Sequence, residues 1–109
     1  MQAKTPEEFF ESVLPKRFDP NKARGIQATI QVDISGTNGG KWIINIKDQR
    51  LNVKKGTDQA PTITMQMSDE DYLDLLNGKL SAEKAFFSGK IKFKGDLMLA
   101  LRLRDIGFL

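Results

Sequence analysis

Residues 26–35, IQATIQVDIS, alternate apolar and polar side chains without a break. Successive side chains of an extended chain point to opposite faces, so this pattern predicts a β-strand with one buried side and one solvated side. The buried side is formed by Ile26, Ala28, Ile30, Val32 and Ile34.

Three further strands are predicted after a turn at residues 37–40, TNGG. Each alternates in the same way, and Trp42, Ile44 and Ile46 mark the buried side of the first. Four consecutive one-sided strands imply a mainly antiparallel sheet with one dry face and one wet face. The three strands are KWIINIK (41–47), RLNVKK (50–55) and TITMQMS (62–68).

Helices are predicted before and after these four strands along the chain. Thr5 is followed by Pro6 and, three residues on, by Glu8, which is a capping box for a helix that should end near Pro15. Ser68 and Ser81 are suitable N-caps for two later helices. Residues 90–94, KIKFK, predict a fifth short strand, and 96–106, DLMLALRLRDI, a terminal helix. The order of elements indicates an α+β fold with the helices on the dry face.

The 109 residues suit a single domain spanning residues 1–109. The chain has neither cysteine nor histidine, which excludes disulfides, zinc-thiolate sites and Ser-His-Asp chemistry. The acidic start and the lack of a long apolar run argue against a signal peptide or membrane span, so a cytoplasmic location is expected. The net charge of +3 is modest. Many of its lysines alternate with apolar residues in strands, so no nucleic-acid partner is expected, and we expect a monomer.

No motif predicts catalysis or a metal site. SGTNGGKW (35–42) lacks the first glycine and the final Ser or Thr of a phosphate loop and joins two strands, which favours a hairpin turn. The acids from Asp69 to Asp74 fit the first turn and solvated side of a helix. Ser81 with Lys84, and Ser88 with Lys90, lack the partners of a Ser-Lys nucleophile. We therefore expect no enzyme activity, cofactor or metal.

The strongest pattern is an apolar one that includes both sides of the terminal helix. In that helix Leu99, Ala100, Leu103 and Ile106 share one side, while a second apolar side needs something other than a core to contact. Most members of the wider set would serve equally in a packed core. The candidate lipid-binding residues are Phe10, Leu14, Trp42, Ile44, Ile46, Met65, Met67, Phe86, Phe87, Phe93, Leu97, Met98 and Leu101.

The chain resembles the sterol carrier protein 2 (SCP2) lipid-binding domain over residues 5–106. The resemblance is carried by residues 72–80, YLDLLNGKL, and 85–96, AFFSGKIKFKGD, together with 39–48 and 63–71. The resemblance implies a five-stranded sheet with helices on one face, enclosing an apolar tunnel for fatty acids, fatty acyl-CoAs, sterols or phospholipids. Many members carry Gln where this chain has Ser88, which puts a polar contact to ligand at that point in doubt. The end, Gly-Phe-Leu, gives no support for peroxisomal import.

The sequence thus predicts non-catalytic lipid binding and transfer, with transient contact with a membrane surface. The alternative is an accessory module that uses the same fold for protein interaction or assembly and holds no lipid. Lysine or arginine at the mouth of the tunnel would meet the head group under the first hypothesis. Trp42 fluorescence would distinguish the two hypotheses if Trp42 lay near the cavity.

Overall fold

The computed structural model describes residues 4–103 and residue 106. Its strands are β1 (Ala28–Ser35), β2 (Gly40–Lys47), β3 (Arg50–Lys55), β4 (Ile63–Ser68) and β5 (Ile91–Gly95). Its α-helices are α1 (Pro6–Glu8), α2 (Leu14–Arg17), α3 (Asp69–Leu76), α4 (Ala82–Phe87) and α5 (Leu97–Leu103). A π-helical stretch, Phe9–Val13, joins α1 to α2, and a short 3-10 helix covers Pro20–Ala23.

The five strands form one sheet in the order β3-β2-β1-β4-β5. Neighbouring strands are antiparallel except β1 and β4, which run parallel. The prediction of a mainly antiparallel, five-stranded α+β sheet is therefore confirmed. The exception arises because the chain leaves the far edge at β3 and returns beside β1 instead of pairing with β3.

The dry face of the sheet carries the core, as the alternation predicted. The helices cover this face, and Ile30, Ile44 and Met65 are wholly buried beneath them. The aromatic centre of the core is Phe10, whose ring stacks on Tyr72 at 5.4 Å between centroids and lies 5.1 Å from Trp42. Burial of these large apolar surfaces is the main source of stability for a domain of this size.

The first helix extends beyond its predicted end. In the π-helical turn the Leu14 amide donates to the Phe9 carbonyl, five residues back, and the chain stays helical through Pro15 to Arg17. Proline has no amide hydrogen to give to the helix, so the widened turn immediately before it accommodates Pro15 without ending the helix. The same turn lets Phe9, Phe10, Val13 and Leu14 all face the core.

An exposed ion pair joins this helical segment to the sheet. Lys55 on β3 places its Nζ 2.8 Å from Glu7 Oε1 and 3.7 Å from Glu11 Oε2. The hydrogen bond with Glu7, followed by the charge of Glu11, raises the pKa of the Lys55 ammonium. Glu11 also accepts a hydrogen bond from Trp42 Nε1 at 3.2 Å.

Two side chains on the wet face of the sheet are buried, although the alternation predicted that this face would be exposed. Gln31 and Ile43 lie opposite each other in the β1–β2 register, and both are buried. The segment 56–62 passes over them on its way from β3 to β4. Gln31 Nε2 donates to the Gly56 carbonyl at 3.1 Å, and its Oε1 accepts from the Asp58 amide at 2.7 Å. The expectation of a uniformly wet face was wrong here, because a connection between non-adjacent strands has to cross the sheet.

Asp69 at the start of α3 is buried and ties the helix to the β1–β2 turn. Its carboxylate accepts from the Asn38 amide at 2.9 Å and from the Glu70 amide at 2.8 Å. Gly36, with φ at +106°, packs so closely on this carboxylate that a Cβ would collide with it. The hairpin interpretation of SGTNGGKW thus fits the structure, with β1 and β2 paired across it.

Candidate apolar site

An apolar groove of about 430 Å³ opens between α4, β5 and α5. Such a volume lies within the range of small-ligand pockets in proteins. Helix α4 provides one wall, α5 the other, and the groove side of β5 the floor. The lining residues are Ala82, Glu83, Phe86, Phe87, Ile91, Phe93, Leu97, Met98, Ala100 and Leu101.

Local sequence signals set the two helical walls in place. Ser81 Oγ caps α4 by accepting from the Lys84 amide at 3.2 Å. Asp96 Oδ1 caps α5 by accepting from the Met98 and Leu99 amides at 3.1 and 3.3 Å. Caps of this kind fix where each helix begins and therefore which side chains face the groove.

Gly95 permits the tight passage from β5 into α5. Its φ is +113°, and a Cβ there would lie 2.5 Å from the Thr62 carbonyl oxygen. The Asp96 amide donates to that same oxygen at 3.1 Å. A side chain at this position would push β5 away from β4 and change the floor of the groove.

The rings of the groove contact one another. Phe86 lies edge-on to Phe87 with centroids 5.8 Å apart, and 6.3 Å from the tilted ring of Phe93. Phe87 is nevertheless 85% exposed, Met98 73% and Leu101 70%. Large apolar side chains this exposed and this close together are unusual on monomeric soluble proteins and are typical of an interaction site.

The two sides of α5 differ as the helical spacing predicted. Leu99 and Ile106 are buried, and Ala100 packs against the core cluster. Leu97, Met98 and Leu101 face the groove and solvent. Leu103 belongs to the predicted core side, but its side chain lies outside the described residues.

Six of the candidate lipid-binding residues line the groove and seven do not. Phe86, Phe87, Phe93, Leu97, Met98 and Leu101 lie together there. Phe10, Leu14, Trp42, Ile44, Ile46, Met65 and Met67 are buried in the packed core. The prediction that these seven contact lipid stays a prediction, because the groove as described does not reach them.

An enclosed tunnel is not formed by residues 4–103 and 106. The apolar space is a groove open to solvent along one side. Trp42 is buried in the core and does not line this groove, so its fluorescence does not report directly on the groove.

Sequence reasoning did not single out Ala82, Glu83, Ile91 and Ala100 as part of the site. Ile91 was detectable, since it shares the strand side of Phe93. Ala82 lies one helical turn before Phe86, a spacing that places both on one face of α4. Ala100, which the helical spacing put on the core side with Leu99, packs against the core and also lines the groove.

Glu83 is the one charged side chain among the residues that line the groove. Within the part of the chain that the structure describes, the groove lining therefore includes no lysine or arginine, and a cation that meets the lipid head group at the mouth stays a prediction. Ser88, where a polar contact was in doubt, turns its hydroxyl back to donate to the Lys84 carbonyl at 2.6 Å. It closes the end of α4 and does not line the groove.

A larger and more polar depression of about 710 Å³ lies at the end of the sheet beside α3. Lys41, Lys90 and Lys92 contribute to it together with Asp33 and Asp71. The mixed charges are typical of a solvated surface, and we assign the site to the apolar groove. Among the described residues, no group of acidic side chains is arranged to hold a metal ion, and no helix has the length and apolarity to cross a bilayer.

Known proteins resemble this chain in both sequence and fold. Residues 10–106 match the model of the SCP-2 sterol transfer family. Hydroxysteroid dehydrogenase-like protein 2 of Bos taurus is 38% identical over 85 residues, which are 76% of this chain and 20% of that protein. The chain thus spans about a fifth of the length of this relative.

Two solved structures from Aedes aegypti are similar over most of the chain. The crystal structure of Sterol Carrier Protein 2 Like 2 superimposes with a TM-score of 0.75 at 27% identity, covering 92% of this chain and 94% of the other. The solution structure of palmitated SCP2L2 gives the same score and identity and covers 91% of each chain.

Proposed function

Because the chain belongs to the SCP-2 sterol transfer family, we propose that it is a non-catalytic domain that binds and transfers lipids through the groove between α4, β5 and α5. The ligands would be fatty acids, fatty acyl-CoAs, sterols or phospholipids. The apolar part of the lipid lies along the rings of Phe86 and Phe93, and its polar head stays at the solvent-exposed rim.

The exposure of the groove is the observation that carries this proposal. Phe86, Phe87, Leu97, Met98 and Leu101 are all large, apolar and exposed. At roughly 25 cal/mol per Å² of apolar surface removed from water, covering such side chains with an acyl chain or sterol is strongly favourable. The palmitated relative supports a fatty acid as one ligand of this fold.

Binding of cis-parinaric acid, a fluorescent fatty acid, tests the proposal. The natural chain should bind it, and Met98→Glu should weaken binding at least tenfold, because burying an unpaired carboxylate against the acyl chain is costly. Met98 is exposed, so the folded state should survive the change. Asn52→Glu is a charge-matched control, since Asn52 is exposed on β3 at the opposite edge of the sheet.

Native mass spectrometry of the purified chain provides an independent readout. Lipid retained through purification, or taken up on addition of palmitate or palmitoyl-CoA, supports the proposal. If the chain shows only its apo mass under all these conditions and binds no fluorescent fatty acid, the accessory-module alternative replaces it.

A further inference from the structure

We propose that the free edge of β5 is a docking site for an extended protein segment in which apolar and acidic residues alternate. Such a segment adds a further strand to the sheet. In this mode of recognition backbone hydrogen bonds give affinity, and alternate side chains give specificity. The proposal goes beyond lipid binding, because it depends on the edge of the strand and needs no bound lipid.

The outer side of β5 has free backbone groups. β5 pairs with β4 on one side and, among the described residues, with no strand on the other. The Asp96 amide donates to the Thr62 carbonyl at 3.1 Å, which continues the β4–β5 register by one pair. Hydrogen-bonded and non-hydrogen-bonded pairs alternate along an antiparallel ladder. The amide and carbonyl groups of Phe93 and Gly95 therefore point away from β4.

These outward groups of Phe93 and Gly95 are accessible to a partner. Gly95 is exposed and Phe93 is only partly buried, whereas Ile91 at the start of the strand is covered. In the part of the chain that the structure describes, no backbone hydrogen bond outside the sheet uses Phe93 or Gly95. The accessible edge thus runs from Lys92 to Gly95, and four residues at about 3.3 Å each give it a length of about 13 Å.

On the dry side of this edge, the added strand meets the apolar groove. A residue opposite Phe93 has its side chain on the same face as the Phe93 ring, one strand spacing or about 4.8 Å farther out. That face of β5 is the floor of the groove, and Leu97 and Met98 in the groove lining are exposed. The position opposite Phe93 therefore selects an apolar side chain.

On the wet side of the same edge, Lys92 and Lys94 select acidic side chains. Both are exposed, and within the described part of the chain no acidic oxygen lies within 4.0 Å of either ammonium group. Lys92 also borders the polar depression, where Gln66 stands between it and Asp33 in the strand register. Opposite charges that face each other across two strands stabilise the pairing, and like charges weaken it.

The same two lysines disfavour pairing with a second copy of this chain. Two β5 edges side by side would set lysines against lysines, and natural sheets use edge lysines to prevent such pairing. An acidic strand removes this repulsion. The edge therefore rejects itself and accepts a partner strand of opposite charge.

Fluorescence anisotropy with the labelled peptide acetyl-Thr-Val-Glu-Val-Glu-Thr-amide tests the docking. The natural chain should bind it about tenfold or more tightly than the charge-reversed peptide, in which lysine replaces both glutamates. Lys92→Glu combined with Lys94→Glu should invert this preference. The matched control combines Arg50→Glu with Lys54→Glu on the wet side of β3 and should keep the preference of the natural chain. Four strand spacings, about 19 Å, separate β3 from β5, which is more than two Debye lengths at physiological salt.

Two further measurements test the backbone pairing itself. Methylation of the amide nitrogen of the valine between the two glutamates removes a hydrogen bond to Phe93 and should weaken binding about fivefold. Amide hydrogen exchange followed by NMR should slow at Phe93 and Gly95 when the acidic peptide is added. The Lys94 amide is already bonded to β4, so its exchange should change little.

The outcomes for this proposal and for lipid binding are distinguishable. Equal affinity for the acidic and charge-reversed peptides, unchanged exchange at Phe93, or self-association of the natural chain through β5 would each overturn the docking proposal. The variant with glutamate at positions 92 and 94 should still bind cis-parinaric acid as the natural chain does, because both side chains lie on the strand side opposite the groove. Loss of fatty-acid binding by Met98→Glu would support the groove whatever the peptide does.

Discussion

Tyr72 shows how one buried residue contributes to the response of the fold to pH. Its ring lies 5.8 Å from Phe9 and 5.4 Å from Phe10 between centroids, and the side chain is fully buried. Burial raises the pKa of the Tyr72 phenol well above its ordinary value, against a smaller lowering effect of Arg17. The phenol therefore stays neutral in the folded chain at pH values where it ionises in the unfolded chain.

The free energy of unfolding should consequently fall as the pH rises above about 10, the pKa of the unfolded phenol. Below that pH both states hold the proton and the effect is absent. Above it the limiting slope is about 1.4 kcal/mol per pH unit. Urea unfolding between pH 8 and pH 11 measures this slope, and Tyr72→Phe should make it shallower. An identical pH dependence in the two proteins would contradict the assignment to Tyr72, since the raised pKa of Lys55 acts equally in both.

Single residues were only partly predictable in their roles. Alternation assigned Met65 to the buried side of its strand, and the structure buries it completely. Alternation does not reveal whether a helix or a ligand covers that side, so core and groove residues entered one candidate set. The difference depends on where the helices end, because α4 and α5 leave Phe93 only partly covered while the first helical segment closes over Trp42.

Among the elements, α5 combines a side that packs in the core with a side that lines the groove. Leu99 is 9% exposed, whereas Leu101, half a turn away, faces solvent. Leu99→Ala should lower the free energy of unfolding by about 2–4 kcal/mol, because it leaves a cavity in the core. Urea denaturation measures this loss.

Leu101→Ala removes the same atoms from the other side of the helix. It should change stability by less than about 0.5 kcal/mol. It should weaken binding of cis-parinaric acid about five-fold, because apolar contact with the acyl chain is lost. A large loss of stability in Leu101→Ala, or unchanged affinity, would contradict the two-sided description of α5.

The elements themselves were largely predictable. Capping residues such as Ser68 and Ser81 marked helix starts that the structure confirms, and each carries the expected side-chain hydrogen bond. The end of the first helix was not predictable, because a proline at position 15 normally stops an α-helix. The π-helical turn that prevents this depends on packing four neighbouring side chains into the core, which local propensity does not describe.

At the scale of the whole molecule, the groove exposes apolar surface to water, and a bound ligand should cover that surface. A ligand present at 100 times its dissociation constant should raise the free energy of unfolding by about 2.7 kcal/mol. For a domain of this size that corresponds to an increase in Tm on the order of 10 °C. Differential scanning calorimetry with palmitate measures the shift, and Met98→Glu should show little of it. An unchanged Tm in the natural chain would argue against lipid binding in the groove.

The order of the strands is the part of the fold that the residue pattern alone did not settle. A short connection after β3 would normally continue the antiparallel series, whereas this chain crosses the sheet and makes β4 parallel to β1. The contacts that stabilise the crossing, above all those of Gln31 with residues 56 and 58, join segments far apart in sequence. The family resemblance implied five strands with helices on one face, but it did not give their order.

Among the described residues, those that line the groove fall between positions 82 and 101, although the sheet that supports them includes strands from residue 28 to residue 95. Substitutions in this short window are distant from β1, β2 and β3, and changes at distant sites combine almost additively. If the groove binds lipid as proposed, its preference can change at the exposed positions of this window, such as Met98 and Leu101, without the loss of stability expected at Leu99. A lineage of such domains can then diversify its ligand while the supporting sheet stays under unchanged selection.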